Sequence, residues 1–532
     1  MTGRARPSVR RGRNLVPLLA VTLLLVPVVS AVAGPAAVRP SAATLSLSPN
    51  FGHPQGSSTA NGKGFGVSET VRVLFDGALV ATASTSSAGA FSAPFTVPTA
   101  AQPGTHKVTA EGLSSGDQVE KNFLVRTSWS QFRFDVGHTG LNPYENTVGV
   151  ANAPTLTESW SRKTGGAVQS APTFFGGVVI VGSNDHALRG IVATTDKLKW
   201  SDTLDGPILA APAEEPPPDP DCPAGSPIKI FAATDSSVGS VYGLDTSGRV
   251  GWHATMGARV TSSILDFAPG PPTIPPGPCR GLIVVADHSG LIRAFDPGTG
   301  DVVWSAQVAG VPTTPAGSVD TQDDAAFVFV TTNKGHLYAL DAVDGSILWS
   351  ATVSGVPTSP AVTHGFNPQP DPPAGDVVFG TNAGSVWTFD GNTGGLVNLW
   401  SAGGAVTKAP AIGDVNGDGS ADVVLVAHSS TGARGAARPL PTAVELTAFN
   451  ADGSVIWTRS QAAADNSVPA LANGLVLIGS DDHRIHVDDW ATGAPLYSFA
   501  TKGDVRSSPM LADGRLVFGS NDEHVYEFVI PD

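Results

Sequence analysis

Residues 413–426, GDVNGDGSADVVLV, carry the pattern of side chains best suited to binding a metal ion. Oxygen-bearing residues alternate with other residues, and a glycine allows a sharp turn after the third of them. Hard oxygen ligands in such an alternation suit Ca²⁺. We therefore predict a structural calcium site whose ligands are Asp414, Asn416, Asp418, the carbonyl oxygen of Ser420, and Asp422.

The alternative interpretation of this loop is a turn held by its own Asp and Asn side chains, without metal. An EF-hand is not indicated, because Leu425 stands where that motif has its bidentate glutamate and no helical pattern flanks the loop. The loop instead resembles the Ca²⁺ hairpin loops of integrin-type (FG-GAP) propellers. That resemblance implies a position between two strands of one blade and a role in making the loop rigid.

The loop lies within a sequence repeat. The repeat extends from about residue 160 to the end of the chain, and its fold must position the loop. The clearest copy is HLYALDAVDGSILW, and the consensus is V-x-S/T-x-P, an apolar strand, a polar turn, and A-x-D-x-x-x-G-x-x-x-W. Eight strand starts are found, at Pro172, Pro212, Ile264, Pro315, Pro360, Pro410, Pro469 and Pro509. The aromatic column at the end of the repeat consists of Trp200, Trp252, Trp304, Trp349, Trp400, Trp457 and Tyr497.

The eighth repeat stops at Asp532 before any Trp, whereas an unassigned strand with Trp160 precedes the first repeat. The N-terminal strand can therefore complete the last repeat and close a ring. A single twisted sheet with two apolar faces cannot bury them alone, and stacking around a ring does so. We predict an all-β chain whose residues 155–532 form an eight-bladed β-propeller, closed by pairing of its N- and C-terminal strands.

The rest of the chain divides into shorter regions. Residues 1–33 are typical of a secretory signal peptide, with five arginines, an apolar run and a small-residue cleavage site. A linker follows at residues 34–43, and residues 44–126 show six or seven short strands that predict a small immunoglobulin-like β-sandwich. Residues 127–154 form a lead-in segment, which is rich in aromatic residues, so we expect it to pack against the propeller.

Charge and cysteine content narrow the classes of partner. The net charge is −15 and signal cleavage removes only basic residues, so a nucleic-acid partner is disfavoured. After signal cleavage no segment is long and apolar enough to span a membrane. Cys222 and Cys279 are the only cysteines, and both lie in Pro-rich loops before strands of adjacent repeats. In an exported protein they predict one disulfide, and two free thiols are the alternative.

The repeat motif, as in Ala294, Asp296, Thr299, Gly300 and Trp304, resembles the tryptophan-docking motif of quinoprotein alcohol dehydrogenase-like (PQQ-like repeat) propellers. The resemblance covers residues 127–532 and implies the fold, but non-catalytic members carry the same motif. The dehydrogenases imply pyrroloquinoline quinone, Ca²⁺, an acidic base and often a vicinal disulfide. The chain has no vicinal cysteines, no C-x-x-C-H haem motif and no match to the catalytic acid. We therefore assign no catalytic residue, and the quinone is the less favoured cofactor.

The inner strands should line the axial channel with small polar residues. Lys408 and Arg506 depart from the columns in which they stand. They could hold an anionic ligand, and solvent-facing or paired charges are the simpler interpretation.

These features together favour a secreted or cell-surface, non-catalytic binding or scaffold protein with a calcium-braced propeller as its platform. Its expected partner is a protein or a cell-envelope glycan. Two alternatives stay open: a quinone- and calcium-dependent dehydrogenase of alcohols or sugars, and a module for cell-envelope polysaccharide binding or adhesion. Fold alone does not decide among them.

Overall fold

The computed structural model describes residues 42–214, 227–267, 281–320, 325–364, 366, 374–429, 443–461 and 467–531. The predicted signal peptide, almost all of the linker, and the predicted Cys222–Cys279 pair lie outside these residues. The described chain is all-β apart from one short 3-10 helix, Ala153–Thr155, which confirms the predicted fold class. No helix among the described residues is long and apolar enough to cross a membrane.

The N-terminal module consists of two facing sheets. The strands are β1 (Thr44–Ser48), β2 (Phe51–Gly52), β3 (Ser57–Lys63), β4 (Thr70–Phe75), β5 (Ala78–Ser84), β6 (Phe91–Thr96), β7 (Gly104–Gly112) and β8 (Gln118–Val125). Their order is β1-β3-β6 in one sheet and β2-β8-β7-β4-β5 in the other. Apolar residues alternate along the strands, so one face of each sheet, with Phe95 and Phe123 among its side chains, forms a shared core.

The module is attached to the region that follows by aromatic and polar contacts. The Arg126 guanidinium lies between the rings of Phe51 and Phe175, 4.1 and 4.2 Å from their centroids. The rings of His53 and Tyr144 stack at 3.7 Å. Residues 43–532 accordingly form one compact unit.

The C-terminal region contains eight further sheets, and we refer to them as blades 1 to 8. The first four blades comprise β11 (Thr173–Phe175) to β14 (Lys197–Thr203), β15 (Ala213–Glu214) to β18 (Val250–Thr255), β19 (Leu265–Phe267) to β22 (Val302–Gln307), and β23 (Ala316–Asp320) to β26 (Ile347–Thr352). The strands between these are β12 (Val178–Gly182), β13 (Ala187–Val192), β16 (Ile228–Thr234), β17 (Ser240–Asp245), β20 (Leu282–Ala286), β21 (Leu291–Phe295), β24 (Ala325–Thr332) and β25 (His336–Asp341).

Blades 5 to 8 follow the same plan. They contain β27 (Ala361–Thr363), β28 (Asp376–Gly380), β29 (Ser385–Asp390), β30 (Leu396–Ser401), β31 (Ala405–Val406), β32 (Ala411–Gly413), β33 (Asp422–Ser429), β34 (Ala443–Phe449), β35 (Val455–Gln461), β36 (Ala470–Ala472), β37 (Leu475–Ser480), β38 (Arg484–Asp489), β39 (Pro495–Ala500), β40 (Met510–Ala512), β41 (Arg515–Ser520) and β42 (His524–Val529). Both β31 and β32 pair with β33 in blade 6.

The last blade draws one strand from each end of the region. Strand β10 (Thr157–Lys163) pairs antiparallel with β42, in the sheet order β10-β42-β41-β40. Thr157 lies opposite Val529, and Lys163 opposite His524. The pairing that the unassigned Trp160 strand predicted is therefore present. The short strand β9 (Leu141–Asn142) from the lead-in segment adds to blade 7 in parallel with β36.

Each outermost strand carries an aromatic side chain that docks onto the next blade, and this residue is Tyr497 in blade 7 and a Trp in the others. The turn before the Trp strand of blade 4 shows why the motif needs glycine: Gly345 has φ of 74°, and a Cβ there would lie 2.5 Å from Trp304. Where this turn has five residues, the indole N–H donates to the carbonyl of its second residue. These pairs are Trp160–Ala193, Trp252–Pro297, Trp304–Ala342, Trp349–Gly391 and Trp457–Trp490.

In blades 2 and 6 the turn is one residue shorter, and the hydrogen bond between the indole N–H and the turn is absent. Gly248 and Gly453 bond back three residues instead of four, to Asp245 and Asn450. The buried indole N–H groups of Trp200 and Trp400, which dock there, have no hydrogen-bond partner in the described part of the chain. Turn length, readable in the sequence, thus decides whether the docking Trp is hydrogen-bonded.

This rule predicts unequal effects of Trp→Phe substitution. Trp304→Phe leaves the Ala342 carbonyl without its donor and should cost about 1 kcal/mol more stability than Trp400→Phe, which removes an N–H that has no partner. Urea denaturation midpoints of the two variants, compared with the unmodified protein, measure the difference. Equal losses in the two variants would contradict the rule.

Candidate functional site

The lead-in segment runs across one end of the propeller axis. We call residues 129–142 the plug. Going along the plug, backbone or amide hydrogen bonds reach the innermost strand of every blade in order. The pairs are Trp129–Phe174, Ser130–Glu214, Gln131–Asp266, Val136–Gly317, Gly137–Val362, Thr139–Ile412, Gly140–Leu471 and Asn142–Leu511. In all eight cases the partner is the second residue of the inner strand, so the contacts share one level of the ring. The predicted packing of this segment is present, but its circular path was not predicted.

Two basic side chains lie at the centre of the plug. Arg133 is 2% exposed and its guanidinium donates to the carbonyl groups of Pro360, at 3.2 Å, and Pro410. His138 is fully buried, and neither ring nitrogen has a hydrogen-bond partner among the described residues. Burial, with the Arg133 charge adding to it, holds the pKa of His138 well below its usual range, so the imidazole is neutral.

The chain of the plug is coiled tightly. Arg133, Phe134 and His138 have φ of 56°, 78° and 53°, in the left-handed region that non-glycine residues rarely adopt. The Asp135 carboxylate accepts from the backbone N–H and the hydroxyl of Thr139, at 2.9 and 2.6 Å. Burial raises the pKa of Asp135 to about 6, against these hydrogen bonds and the Arg133 charge. The surrounding blades therefore hold the plug in a conformation it would not adopt alone.

Glu214 makes the contact between blade 2 and the plug sensitive to pH. Its N–H donates to the Ser130 carbonyl, and its carboxyl oxygen Oε2 is buried without a partner in the described chain. Burial raises the pKa of Glu214 to about 8, although Lys199 and Arg126 favour the charged form. Because the folded pKa lies above the unfolded value, this group stabilises the fold most below about pH 4.5, and the contribution is lost as pH rises through 8.

We expect Glu214→Gln to reduce the loss of stability between pH 5 and pH 8.5 by at least about 1 kcal/mol, because glutamine stays neutral. Thermal denaturation across this pH range measures the slope. The matched control is Glu158→Gln, an exposed position on β10, which should leave the slope unchanged. A variant with the unmodified slope would show that Glu214 does not control this transition.

The opposite mouth of the channel is formed by the starts of the inner strands. Small hydroxyl side chains there join neighbouring blades: Ser507 Oγ donates to the Ser170 carbonyl at 3.0 Å, and Ser170 Oγ to the Ala210 carbonyl at 2.9 Å. In the predicted column of small polar residues, Ser170 and Ser507 thus join neighbouring blades, whereas Ser262 and Thr313 hydrogen-bond within their own blades. Arg506 is paired, at 3.0 Å each, with Asp481 and Asp504. Lys408 is half-buried and has no ion-pair or hydrogen-bond partner in the described residues.

The predicted calcium loop lies between β32 and β33, within blade 6, where the resemblance to FG-GAP loops placed it. Asp414 Oδ1 accepts from the N–H groups of Gly417 and Asp418, and Asp414 Oδ2 from Gly419. Asp418 Oδ1 accepts from Ser420 N–H at 2.8 Å. The loop is therefore arranged around its own backbone donors. No group of three or more His, Cys, Asp or Glu side chains is assembled for a metal among the described residues.

Of the loop residues, Asp422 has the surroundings that most favour a bound cation. It is fully buried; Oδ2 accepts from Val415 N–H at 2.9 Å, and Oδ1 has no partner in the described part of the chain. Burial, with the charges of Asp418 and Asp414 adding to it, raises the pKa of Asp422 to about 6 against the hydrogen bonds from the backbone N–H groups of Val415 and Asn416. A carboxylate oxygen can accept a hydrogen bond and still bind a cation, so the all-oxygen donor set of this loop fits Ca²⁺.

A quinone fits this chain less well. One end of the channel is closed by the plug, Asp481 and Asp504 at the other mouth are paired with Arg506, and the Ser507 hydroxyl there hydrogen-bonds a neighbouring blade. The described residues at the mouth do not form the carboxylate cluster that a quinone-bound Ca²⁺ requires.

The match to protein-family models decides the family. The model PQQ_2, described as outer membrane protein assembly factor BamB, matches residues 144–325, 288–440 and 442–532, well over half of the chain. The chain belongs to the PQQ_2 family. This confirms the predicted PQQ-like β-propeller. None of the curated proteins compared matches the chain.

Solved structures similar to this PQQ_2 chain include both catalytic and assembly proteins. BamB from Moraxella catarrhalis is 18% identical, with a TM-score of 0.51, covering 70% of this chain and 99% of its own. A europium-containing methanol dehydrogenase is 12% identical, with a TM-score of 0.57, covering 76% and 98%. The quinohemoprotein alcohol dehydrogenase from Comamonas testosteroni is 13% identical, with a TM-score of 0.56, covering 76% and 80%. At such identities the likeness supports the fold and not a shared reaction.

Proposed function

We propose that this PQQ_2-family protein is an exported, non-catalytic binding or scaffold protein that uses its propeller as an interaction platform. The observation that carries the proposal is the plug, which fills one end of the axis and hydrogen-bonds all eight inner strands. Because the plug has a structural role at the axis, a partner would bind at the outer faces or at the open mouth. The expected partner is a protein or a cell-envelope glycan.

The cellular location in this proposal is outside the cytoplasm, secreted or at the cell surface. It rests on the signal-like residues 1–33 and on the family description as an outer membrane protein assembly factor. The net charge of −15 argues against a nucleic-acid partner.

A dye-reduction assay tests the non-catalytic part of the proposal. The purified protein is incubated with pyrroloquinoline quinone, with Ca²⁺ or a lanthanide ion, and with primary alcohols and aldoses in turn. We expect no substrate-dependent dye reduction, because no assembled carboxylate cluster lies at the mouth among the described residues. Turnover that requires both the quinone and the metal would replace this proposal with the dehydrogenase alternative.

We further propose that the blade 6 loop binds Ca²⁺ through Asp414, Asn416, Asp418, the Ser420 carbonyl and Asp422. The unpartnered Asp422 Oδ1 supports this, since a cation there would offset the mutual repulsion of three carboxylates. The ion would have a structural role and make the loop rigid.

Chelation should lower the melting temperature of the unmodified protein, because Ca²⁺ binds the folded loop and not the unfolded chain. Saturation at about 100 times Kd corresponds to about 2.7 kcal/mol. The double variant Asp414→Asn/Asp418→Asn should melt at the same temperature with and without Ca²⁺. Asp344→Asn, an exposed turn residue of blade 4, is the matched control and should keep the calcium response. If chelation does not change the melting temperature of the unmodified protein, the loop is a metal-free turn and the calcium proposal is wrong.

A further inference from the structure

Lys408, at the open mouth of the channel, is a half-buried cation that the described part of the fold does not use. Lys408 stands at the third position of the blade 6 inner segment, where the other blades carry serine, threonine or alanine. The serines at that position in blades 1 and 8 hydrogen-bond a neighbouring blade. Lys408 makes no hydrogen bond or ion pair with any described residue, although it is half-buried. A buried, unpaired ammonium group destabilises a fold, so packing does not explain this residue.

The surroundings of Lys408 come from three blades. Arg506 of blade 8 is held by a fork to Asp481 of blade 7, with Nε–Oδ1 of 3.0 Å and Nη2–Oδ2 of 3.1 Å. Asp504 bonds Arg506 at 3.0 Å and His483 at 3.0 Å. These contacts hold Arg506 in place, and neither aspartate forms an ion pair with Lys408.

Other groups that face Lys408 are polar. His428, from the second strand of its own blade, lies 3.3 Å from the Thr407 hydroxyl. Burial, together with the Lys408 charge, lowers the pKa of His428, so this imidazole is neutral near pH 7. The pKa of Lys408 is itself lowered by burial and by Arg506, with Asp481 opposing. Thr407 is exposed and Arg506 is partly exposed, so the group is open to solvent at the mouth.

We propose that Lys408 is the anchor of a binding site at the open mouth for a ligand that carries a single carboxylate. One negative charge pairs with the free ammonium group. A phosphate dianion is disfavoured, because Asp481 and Asp504 lie beside the site and the Arg506 fork is already occupied. Thr407, His428 and the neighbouring rim would contact the remainder of the ligand. This inference rests on the proposed function, because the Lys408 site would be the binding site of the proposed platform.

Titration calorimetry with matched probe pairs tests this site and the source of the carboxylate. N-acetylalanine and its amide represent a peptide chain end; glucuronate and glucose represent an acidic sugar; inorganic phosphate is the dianion. We expect at least one free acid to bind, with its neutral partner at least tenfold weaker. The acid that binds more tightly shows whether the carboxylate comes from a peptide chain end or from an acidic sugar. Failure of both acids to bind, or equal binding of acid and neutral probe, or preference for phosphate, would overturn the proposal.

Two variants separate ligand binding from folding. Lys408→Met should weaken binding of the acid tenfold or more. Lys408→Thr restores the hydroxyl found in blades 4 and 5, so it should lose binding while melting at the same or a higher temperature without ligand. Lys502→Met, an exposed lysine in the loop that leads into blade 8, is the control and should bind like the unmodified protein. Unchanged affinity in both Lys408 variants would contradict the proposed anchor.

The dye-reduction assay distinguishes failure of this inference from failure of the proposed function. Quinone-dependent turnover by the unmodified protein would overturn the proposed function whatever the carboxylate titrations show. Absence of turnover together with failed carboxylate binding would overturn only the Lys408 site.

Discussion

Replacing Arg133 with methionine is expected to lower the free energy of unfolding by about 3–5 kcal/mol. The side chain is buried at the centre of the plug and donates hydrogen bonds to the carbonyl groups of Pro360 and Pro410, in blades 5 and 6. Methionine fills a similar volume but leaves both carbonyl groups without donors and removes the charge that faces Asp135. The loss should therefore be much larger than for an average substitution.

Urea denaturation followed by tryptophan fluorescence measures this effect. Arg133→Lys keeps the charge but loses the planar fork that reaches two blades, so its loss should be intermediate. Arg72→Met, at a partly exposed arginine of the N-terminal module, should change stability by less than about 0.5 kcal/mol. An Arg133→Met variant as stable as the Arg72 control would mean that the plug contributes little to the ring.

Trp160→Ala should be comparably destabilising, by about 3–5 kcal/mol. Trp160 is 8% exposed on β10, the strand that completes blade 8, and its indole N–H donates to the Ala193 carbonyl of blade 1 at 2.7 Å. The substitution opens a cavity and removes a hydrogen bond at the joint between the first and last blades. Trp160→Phe keeps most of the apolar contact and should lose only about 1 kcal/mol.

Hydrogen exchange locates the Trp160 effect. In Trp160→Ala the amides of β10 and β42 should exchange faster than those of blade 4, because the weakened joint opens before the rest of the ring. Uniformly faster exchange in all blades, or a change confined to β10, would contradict the view that this joint closes the structure.

The repeat made most of the propeller predictable. The Asp, Gly and Trp positions recur at a fixed spacing, so both the sheets and the pairing of β10 with β42 followed from one missing and one surplus strand. Turn length was also readable, but its effect on Trp200 and Trp400 depends on docking between blades and needed the structure.

The plug and the mouth were less accessible to sequence analysis. The aromatic residues of 127–154 indicated packing, but the partners of the plug lie tens to hundreds of residues away in eight different blades. A lone Arg133 has no local signature of burial, and Glu214 stands next to a Pro-rich run typical of a loop. Lys408 was visible as an exception in its column, whereas the pairing of Arg506 that leaves Lys408 free was not.

Calorimetric titration of the purified protein with pyrroloquinoline quinone, first in Ca²⁺ and then in chelator, tests the central claim most directly. The claim is that the propeller is a binding platform and not a quinone enzyme. We predict no saturable heat of quinone binding under either condition. Tight one-to-one binding that disappears on chelation would contradict the claim and make the open mouth the active site of a dehydrogenase.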